Sequence, residues 1–262
     1  MHQWHQLTWP ELAQYTASGL DAALLPVGAT EQHGPHLGCG MDSELASQLA
    51  QKVGKLNDVM ILPTLPYGCS IGHSKRWPGT LALQPKTLID VVKDIGDWVV
   101  ASGFKRLFLL NSHVSNAAPL RCALEMLRAE HDDLMVGLIH SATLSERVKQ
   151  RHFEDAQDWH ANEAETSLML ALAPEMVRVE KLADSDDPDR TQDCVFSHPV
   201  NRTSINGVTG NPSLASLEKG QTLFQWMLED LSERIQKGLT ESAPLPFQYD
   251  EKIPFKERET HE

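Results

Sequence analysis

Residues 28–42, GATEQHGPHLGCGMD, place carboxylate and imidazole side chains between glycines. They follow an apolar run, residues 22–27, which predicts a buried strand. Open α/β sheets bind their ligands at the carboxyl ends of strands, where these polar residues lie. In an extended chain, Glu31 and His33 are two residues apart and point to the same side. With Asp42 nine residues further on, the segment predicts a metal or catalytic site.

Other predicted strands also end in ligand-type residues. His113 follows the apolar run LFLL, and His73 lies in the loop after a second short strand. A fourth strand leads to the segment DWHANEAETS, which contains His160, Glu163 and Glu165. The carboxyl ends of parallel strands lie along one edge of a sheet, so these groups can converge there.

The donor types indicate which metals would bind. Histidine nitrogens with carboxylate oxygens, without a convincing set of thiolates, suit Zn²⁺, Mn²⁺ or Fe²⁺ better than Mg²⁺ or Ca²⁺. Four or five ligands are enough for two ions that share one carboxylate, for which Asp42 is the natural candidate. Two such ions lower the pKa of a water between them and polarise a carbonyl, so the chemistry predicted is hydrolysis. A serine nucleophile is a weaker alternative because the chain has no GxSxG motif.

The segment DWHANEAETS leaves two alternatives open. His160 and Glu163 are three residues apart and would share one face of a helix. Glu165 is five residues from His160, so both reach one site only if His160 precedes the helix or lies in a distorted first turn. The spacing alone does not choose between the two glutamates.

Strand-like and helix-like segments alternate along the chain, which predicts an α/β fold with a mainly parallel sheet and helices on both faces. We expect one domain over residues 1–240, with residues 241–262 as a peripheral tail. Asp42 stands where a helix N-cap is expected, and Asn116 is a second candidate cap. The predicted strands are 22–27, 59–62, 106–110 and 134–139, and the predicted helices are 9–18, 42–53, 86–101, 117–128, 163–172 and 217–236.

The acidic composition of the chain limits the kinds of molecule that it could bind. The chain has 23 Lys and Arg against 36 Asp and Glu, a formal charge of −13, which argues against nucleic acid or an anionic membrane. The four cysteines form no CxxC pair and suit reduced thiols. The sequence shows no signal peptide and no apolar run of about 20 residues, so we expect a cytoplasmic protein.

Five segments together resemble the creatininase (creatinine amidohydrolase) family. They occur in the family's order between residues 24 and 220. The segments are LLPVGATEQHGPHLGCGMD, GHSKRWPGTLAL, LFLLNSHVSN, WHANEAETS and GVTGNPSLASLEKG.

The resemblance implies a three-layer α/β/α fold, two divalent metal ions, and homo-oligomers up to hexamers. It implies that Glu31, Asp42 and His113 bind one ion, and that His33 and the shared Asp42 bind the other. Glu165 matches the remaining carboxylate, which favours it over Glu163, and His160 matches a family histidine proposed as the proton shuttle. His73 would line the substrate entrance. Trp77 and Trp159 lie inside matched segments and are weaker candidates for contact with the substrate.

One departure bears on the substrate. Creatininase itself has a carboxylate ligand in its segment NGHYEN, where this chain has Ser115 in NSHVSN. Strict creatinine hydrolysis is therefore doubtful, and Ser115 is a candidate substrate contact instead. We expect a hydrolase of a small cyclic amide. The alternatives are a deformylase that acts on a formylaminopyrimidine-type substrate, and a non-catalytic metal-binding assembly subunit.

Overall fold

The central strand β2 (Ala22–Val27) is buried along its whole length, as its apolar sequence predicts. A computed structural model describes residues 2–73 and 75–244 of the chain. β2 pairs in parallel with β3 (Met60–Ile61) on one side and β4 (Arg106–Asn111) on the other. β1 (His2–Gln3) and β5 (Met135–His140) form the two edges, so that the order is β1-β3-β2-β4-β5 with every pairing parallel.

Helices cover both faces of this sheet. Alternate residues of β2 point to opposite sides, so that Leu24 lies in one apolar core and Leu25 in the other. The Leu24 side is covered by α2 (Met41–Leu56), α6 (Glu163–Leu172) and α8 (Leu217–Thr240). The Leu25 side is covered by α1 (Trp9–Ala17), α3 (Pro85–Ala101) and α4 (Ala117–Glu130). The two short helices are α5 (Glu146–His152) and α7 (Val200–Thr203). The three-layer α/β/α prediction is confirmed.

Several local predictions need correction. Asp42 is not the N-cap of α2, because the helix begins at Met41 after Gly40 and the Asp42 carboxylate faces His33 and His113 instead. The sequence analysis missed β1, α5 and α7, which are too short for a hydrophobic period to be read. Of the predicted tail, residues 245–262 lie outside the described residues, and the single domain over 1–240 stays a prediction. No described helix is long and apolar enough to cross a membrane.

Candidate metal centre

Glu31 and His33 project from the loop that follows β2, and both side chains are buried. The backbone N–H of Glu31 donates to Cys39 O at 2.8 Å, which folds the loop back on itself. His33 Nδ1 donates to Glu31 O at 3.1 Å, so in the neutral ring Nε2 carries a lone pair. Among the described residues, His33 Nε2 and Glu31 Oε2 have no hydrogen-bond partner. Buried polar atoms rarely stay unpaired, so these two atoms are suited to bind a metal ion or another ligand.

Asp42 enters the same site from the first turn of α2. Its Oδ2 atom is 3.9 Å from His33 Nε2 and 3.7 Å from His113 Nδ1. That oxygen is also buried without a hydrogen-bond partner in the described part of the chain. Ser112 Oγ donates to the Asp42 carbonyl at 2.6 Å and joins the start of α2 to the end of β4.

His113 lies two residues beyond the end of β4. Its Nε2 atom is 3.3 Å from Cys69 O, an atom that can only accept, so Nε2 carries the proton and Nδ1 faces Asp42. Ligand histidines in metalloproteins commonly donate their second ring N–H to a backbone carbonyl in this way. His33 and His113 thus share an arrangement that orients a bare nitrogen toward the same carboxylate.

The backbone before α6 brings His160 and Glu165 to one site. His160 precedes the helix, and Ala161 has a left-handed φ of 51°, which turns the chain before Asn162 caps α6. Glu165 Oε2 accepts from Ala161 N at 2.6 Å, and the ligand atoms of His33, His160 and Glu165 lie within 4.8 Å of one another.

Glu163 points elsewhere. Its carboxylate pairs with Arg151 and with Lys219, whose Nζ is 3.2 Å away, and it accepts from Ser167 Oγ at 2.8 Å. Of the two glutamates between which the sequence spacing could not choose, Glu165 is the one near the cluster.

His73, which the resemblance implied would line the substrate entrance, lies beside Glu31. Its side chain is buried, and its Nε2 atom is 3.2 Å from Glu31 Oε2. The two atoms are close but not aligned for a hydrogen bond, so Glu31 Oε2 has no hydrogen-bond partner among the described residues. Glu31, His73 and His160 form a second group whose ligand atoms lie within 4.8 Å.

Burial dominates the electrostatics of the cluster. It raises the pKa of Glu31 and Asp42 well above their usual ranges, and neighbouring carboxylates add to the effect. Burial also raises the pKa of Glu165 to about 8. For the imidazoles burial acts in the opposite direction: it lowers the pKa of His33 well below its usual range and that of His113 to about 4. A group of buried carboxylates that lacks a cation is costly, and bound divalent ions would remove that cost.

A cavity of about 340 Å³ opens above these groups. Trp159 and Ser115, two candidate substrate contacts, line its wall. Trp77 is not part of the described lining; the Arg76 guanidinium stacks over its ring at 5.0 Å. Glu31, His73, His113 and His160 also line the cavity, whereas His33, Asp42 and Glu165 are not among its described lining.

Sequence analysis missed the neutral side chains that hold the loops. Asn116 occupies the N-cap position of α4, but its side chain makes no capping hydrogen bond. The buried side chain instead accepts from Cys69 N at 2.8 Å and donates to Gly28 O at 2.9 Å, which ties three loops together. Ser70 Oγ lies 3.3 Å from His113 Nε2, and Gln32 contacts two of the histidines. Amides and hydroxyls have no ligand-type signature, so their spacing in the sequence gave no signal.

Comparison with known proteins points to one family. The creatininase family model, described as creatinine amidohydrolase, matches residues 5–235. A creatinine amidohydrolase of Pseudomonas putida is 30% identical over 247 residues, covering 88% of this chain and 95% of that protein. A mycofactocin precursor peptide peptidase of Mycobacterium ulcerans (strain Agy99) is 28% identical over 241 residues, covering 88% and 86%.

The likeness extends to solved structures. A mutant creatininase of the Zn-Zn type superposes with a TM-score of 0.81 at 27% identity, covering 91% of this chain and 98% of the other. Because the family match spans nearly the whole chain and the five-stranded parallel fold agrees, this protein belongs to the creatininase family of amidohydrolases.

Proposed function

We propose that this protein is a dinuclear metal-dependent hydrolase that cleaves a C–N bond of a small cyclic amide. The observation that carries the proposal is the set of three buried atoms, Glu31 Oε2, His33 Nε2 and Asp42 Oδ2, which have no hydrogen-bond partner among the described residues. The ligand atoms of these three residues lie within 4.8 Å of one another. Nitrogen and carboxylate donors in this arrangement fit Zn²⁺, Mn²⁺ or Fe²⁺, and the Zn-Zn form of the related creatininase agrees with such a site.

The proposed ligands divide into two sets that share Asp42. Glu31, Asp42 and His113 would hold one ion, and His33, Asp42 and Glu165 the other. Asp42 Oδ2 is 3.9 Å from His33 Nε2 and 3.7 Å from His113 Nδ1, which supports the assignment of this carboxylate to both sets. When bound, two divalent ions supply a water of lowered pKa and a Lewis acid for the substrate carbonyl.

The chain itself supplies proton transfer and substrate orientation. His160 lines the cavity, and its Nδ1 atom is 3.6 Å from Glu31 Oε1. Burial lowers the pKa of His160 to about 4, so the ring is neutral near pH 7 and can accept a proton there. We assign it the transfer of that proton to the leaving nitrogen, a step that acid–base groups accelerate about 10²- to 10⁴-fold.

The cavity suits a small substrate. Its volume of about 340 Å³ is at the lower end for ligand pockets. The described lining includes neither Lys nor Arg, so a substrate carboxylate would have no counter-charge. Ser115 is exposed in the wall where creatininase has a carboxylate, so we expect a cyclic amide other than creatinine to be the better substrate. Homo-oligomerisation and a cytoplasmic location stay predictions.

The test is turnover by protein loaded with Zn²⁺ or Mn²⁺. The panel contains creatinine, other five- and six-membered cyclic amides, linear formamides and short peptides. We expect hydrolysis of a cyclic amide by the parent protein and by His5→Gln, a control at an exposed residue. His160→Gln should lower kcat by about 10²- to 10⁴-fold. Turnover of formamides alone would favour the deformylase alternative, and full metal content without any turnover would contradict the hydrolase.

A further inference from the structure

The Gln32 side chain is the centre of a buried hydrogen-bond network beside the proposed metal centre. Its Nε2 atom is 2.9 Å from Gly207 O, 3.1 Å from His73 Nδ1 and 3.2 Å from His160 Nε2. Its Oε1 atom accepts from Gly34 N at 2.9 Å, which fixes the orientation of the amide. The residue is only 4% exposed, so its two amide protons must be satisfied within the protein.

Counting the protons gives one consistent arrangement. Gly207 O can only accept, so it takes one of the two amide protons. His160 Nε2 lies 2.8 Å from Gln32 O, another pure acceptor, so this nitrogen must carry the ring proton and cannot accept from the amide. The second amide proton therefore goes to His73 Nδ1, which must be bare.

The same arrangement determines whether the second nitrogen of each ring carries a proton. A neutral imidazole carries one proton, so the assignment of one ring nitrogen settles the other. His73 then has its proton on Nε2, which faces Glu31 Oε2 at 3.2 Å. His160 has a bare Nδ1, which faces Glu31 Oε1 at 3.6 Å.

We infer that Gln32 is a positioning residue that sets the tautomers of His73 and His160. Its side-chain amide directs the Nε2–H of His73 toward Glu31, and its backbone carbonyl leaves His160 Nδ1 as the nitrogen able to accept a proton in the cavity. The catalytic consequence rests on the proposed function, whereas the tautomers themselves do not depend on any turnover.

The absence of a side chain at Gly207 makes room for the Gln32 amide. The residue has a φ of +91°, and a Cβ atom built there would lie 2.0 Å from Gln32 Oε1. Only glycine therefore allows the carbonyl of residue 207 to approach the Gln32 amide, although the two residues are 175 positions apart in the chain. The backbone at Gly207 therefore holds the Gln32 amide in place.

Nitrogen-15 NMR of histidine-labelled protein tests the inference directly, both without metal and after Zn²⁺ loading. His73→Gln and His160→Gln identify the signals by their loss. The expected parent spectrum has a bare Nδ1 and a protonated Nε2 for both His73 and His160. In Gln32→Met, which keeps the length of the side chain but removes the donor, His73 should become a mixture of tautomers. A protonated Nδ1 on either ring in the parent, or an unchanged His73 in Gln32→Met, would overturn the inference.

Kinetics separate positioning from a structural role. With the substrate found in the turnover screen, Gln32→Met should lower kcat about 10- to 100-fold. Substitutions of residues that hold active-site ligands in place commonly have effects of this size. KM and metal content should stay near the parent values, because Gln32 neither lines the described cavity nor belongs to the proposed ligands. Gln225→Met, which removes one exposed hydrogen bond to Glu229, is the matched control. If Gln32→Met fails to fold, the parent spectrum alone still decides the question.

Discussion

Replacing Glu165 by glutamine is expected to stabilise the metal-free protein and to weaken metal binding. Glu165 is 3% exposed, and burial raises its pKa from an ordinary 4.5 to about 8. At pH 7 the folded protein holds this carboxyl mainly protonated, whereas the unfolded chain holds it ionised. Each pH unit above the ordinary pKa then costs the folded state about 1.4 kcal/mol.

The cost at pH 7 is therefore about 3 kcal/mol, and a neutral amide avoids it. The glutamine oxygen can still accept the Ala161 N–H that Glu165 Oε2 accepts at 2.6 Å. We expect Glu165→Gln to raise the free energy of unfolding of metal-free protein by about 2–3 kcal/mol, or Tm by about 5 °C for a chain of this length. In metal-loaded protein the sign reverses, because the substitution removes a charged ligand.

Urea denaturation of chelator-treated protein at pH 7 measures the change in stability. Elemental analysis of the metal-loaded protein measures the change in metal binding. The matched control is Glu163→Gln on the same helix. Its carboxylate already pairs with Arg151 and Lys219, so the substitution should destabilise by about 1–3 kcal/mol and leave the metal content unchanged. A lower stability of metal-free Glu165→Gln, or parental metal content in that variant, would refute the reasoning.

Three further predictions follow from the same contacts. Metal-free protein should lose about 0.8 kcal/mol of stability between pH 7.5 and 9, because folded Glu165 gives up its proton near pH 8, while the site histidines are almost fully neutral in both states over this range. A flat urea midpoint would contradict this. Asn116→Ala should lower the free energy of unfolding by about 2–3 kcal/mol, because it leaves Cys69 N and Gly28 O buried and unpaired. Thermal or urea denaturation measures this loss, and a value under about 0.5 kcal/mol would argue that Asn116 does not hold the three loops together. Gly207→Ala should reduce kcat in the turnover assay through Gln32, whereas Gly19→Ala, with a φ of +87° but open space around it, should not; equal effects would mean that backbone strain alone is responsible.

Much of the architecture could be read from residues with strong local signals. The apolar run of β2 and the amphipathic helices gave the layers, because their lengths exceed one hydrophobic period. β1, with two residues, gave no usable period. Asp42 was placed correctly next to the predicted ligands but wrongly as a cap, since a carboxylate in a first helical turn suits either role.

The hydrogen bonds that support the site were harder to predict from the sequence than the candidate ligands were. The choice of Glu165 came only from resemblance, because the left-handed Ala161 before the helix has no clear sequence signal. Gln32 escaped notice since its partners His160 and Gly207 are 128 and 175 positions away. Long-range hydrogen bonds of neutral amides depend on the finished fold, so spacing along the chain cannot reveal them.

Metal content is the most direct test of the account. Elemental analysis is made on protein purified without added metal, and again after reconstitution, for the parent, Glu31→Ala and Asp42→Ala. Asp97→Ala is the control, because Asp97 belongs to a surface group with Glu130 and His131 that could bind metal adventitiously. The account predicts about two Zn, Mn or Fe ions per chain in the parent and control, and a loss in both site variants. A parent that binds no metal after reconstitution, or site variants that keep it, would contradict the account.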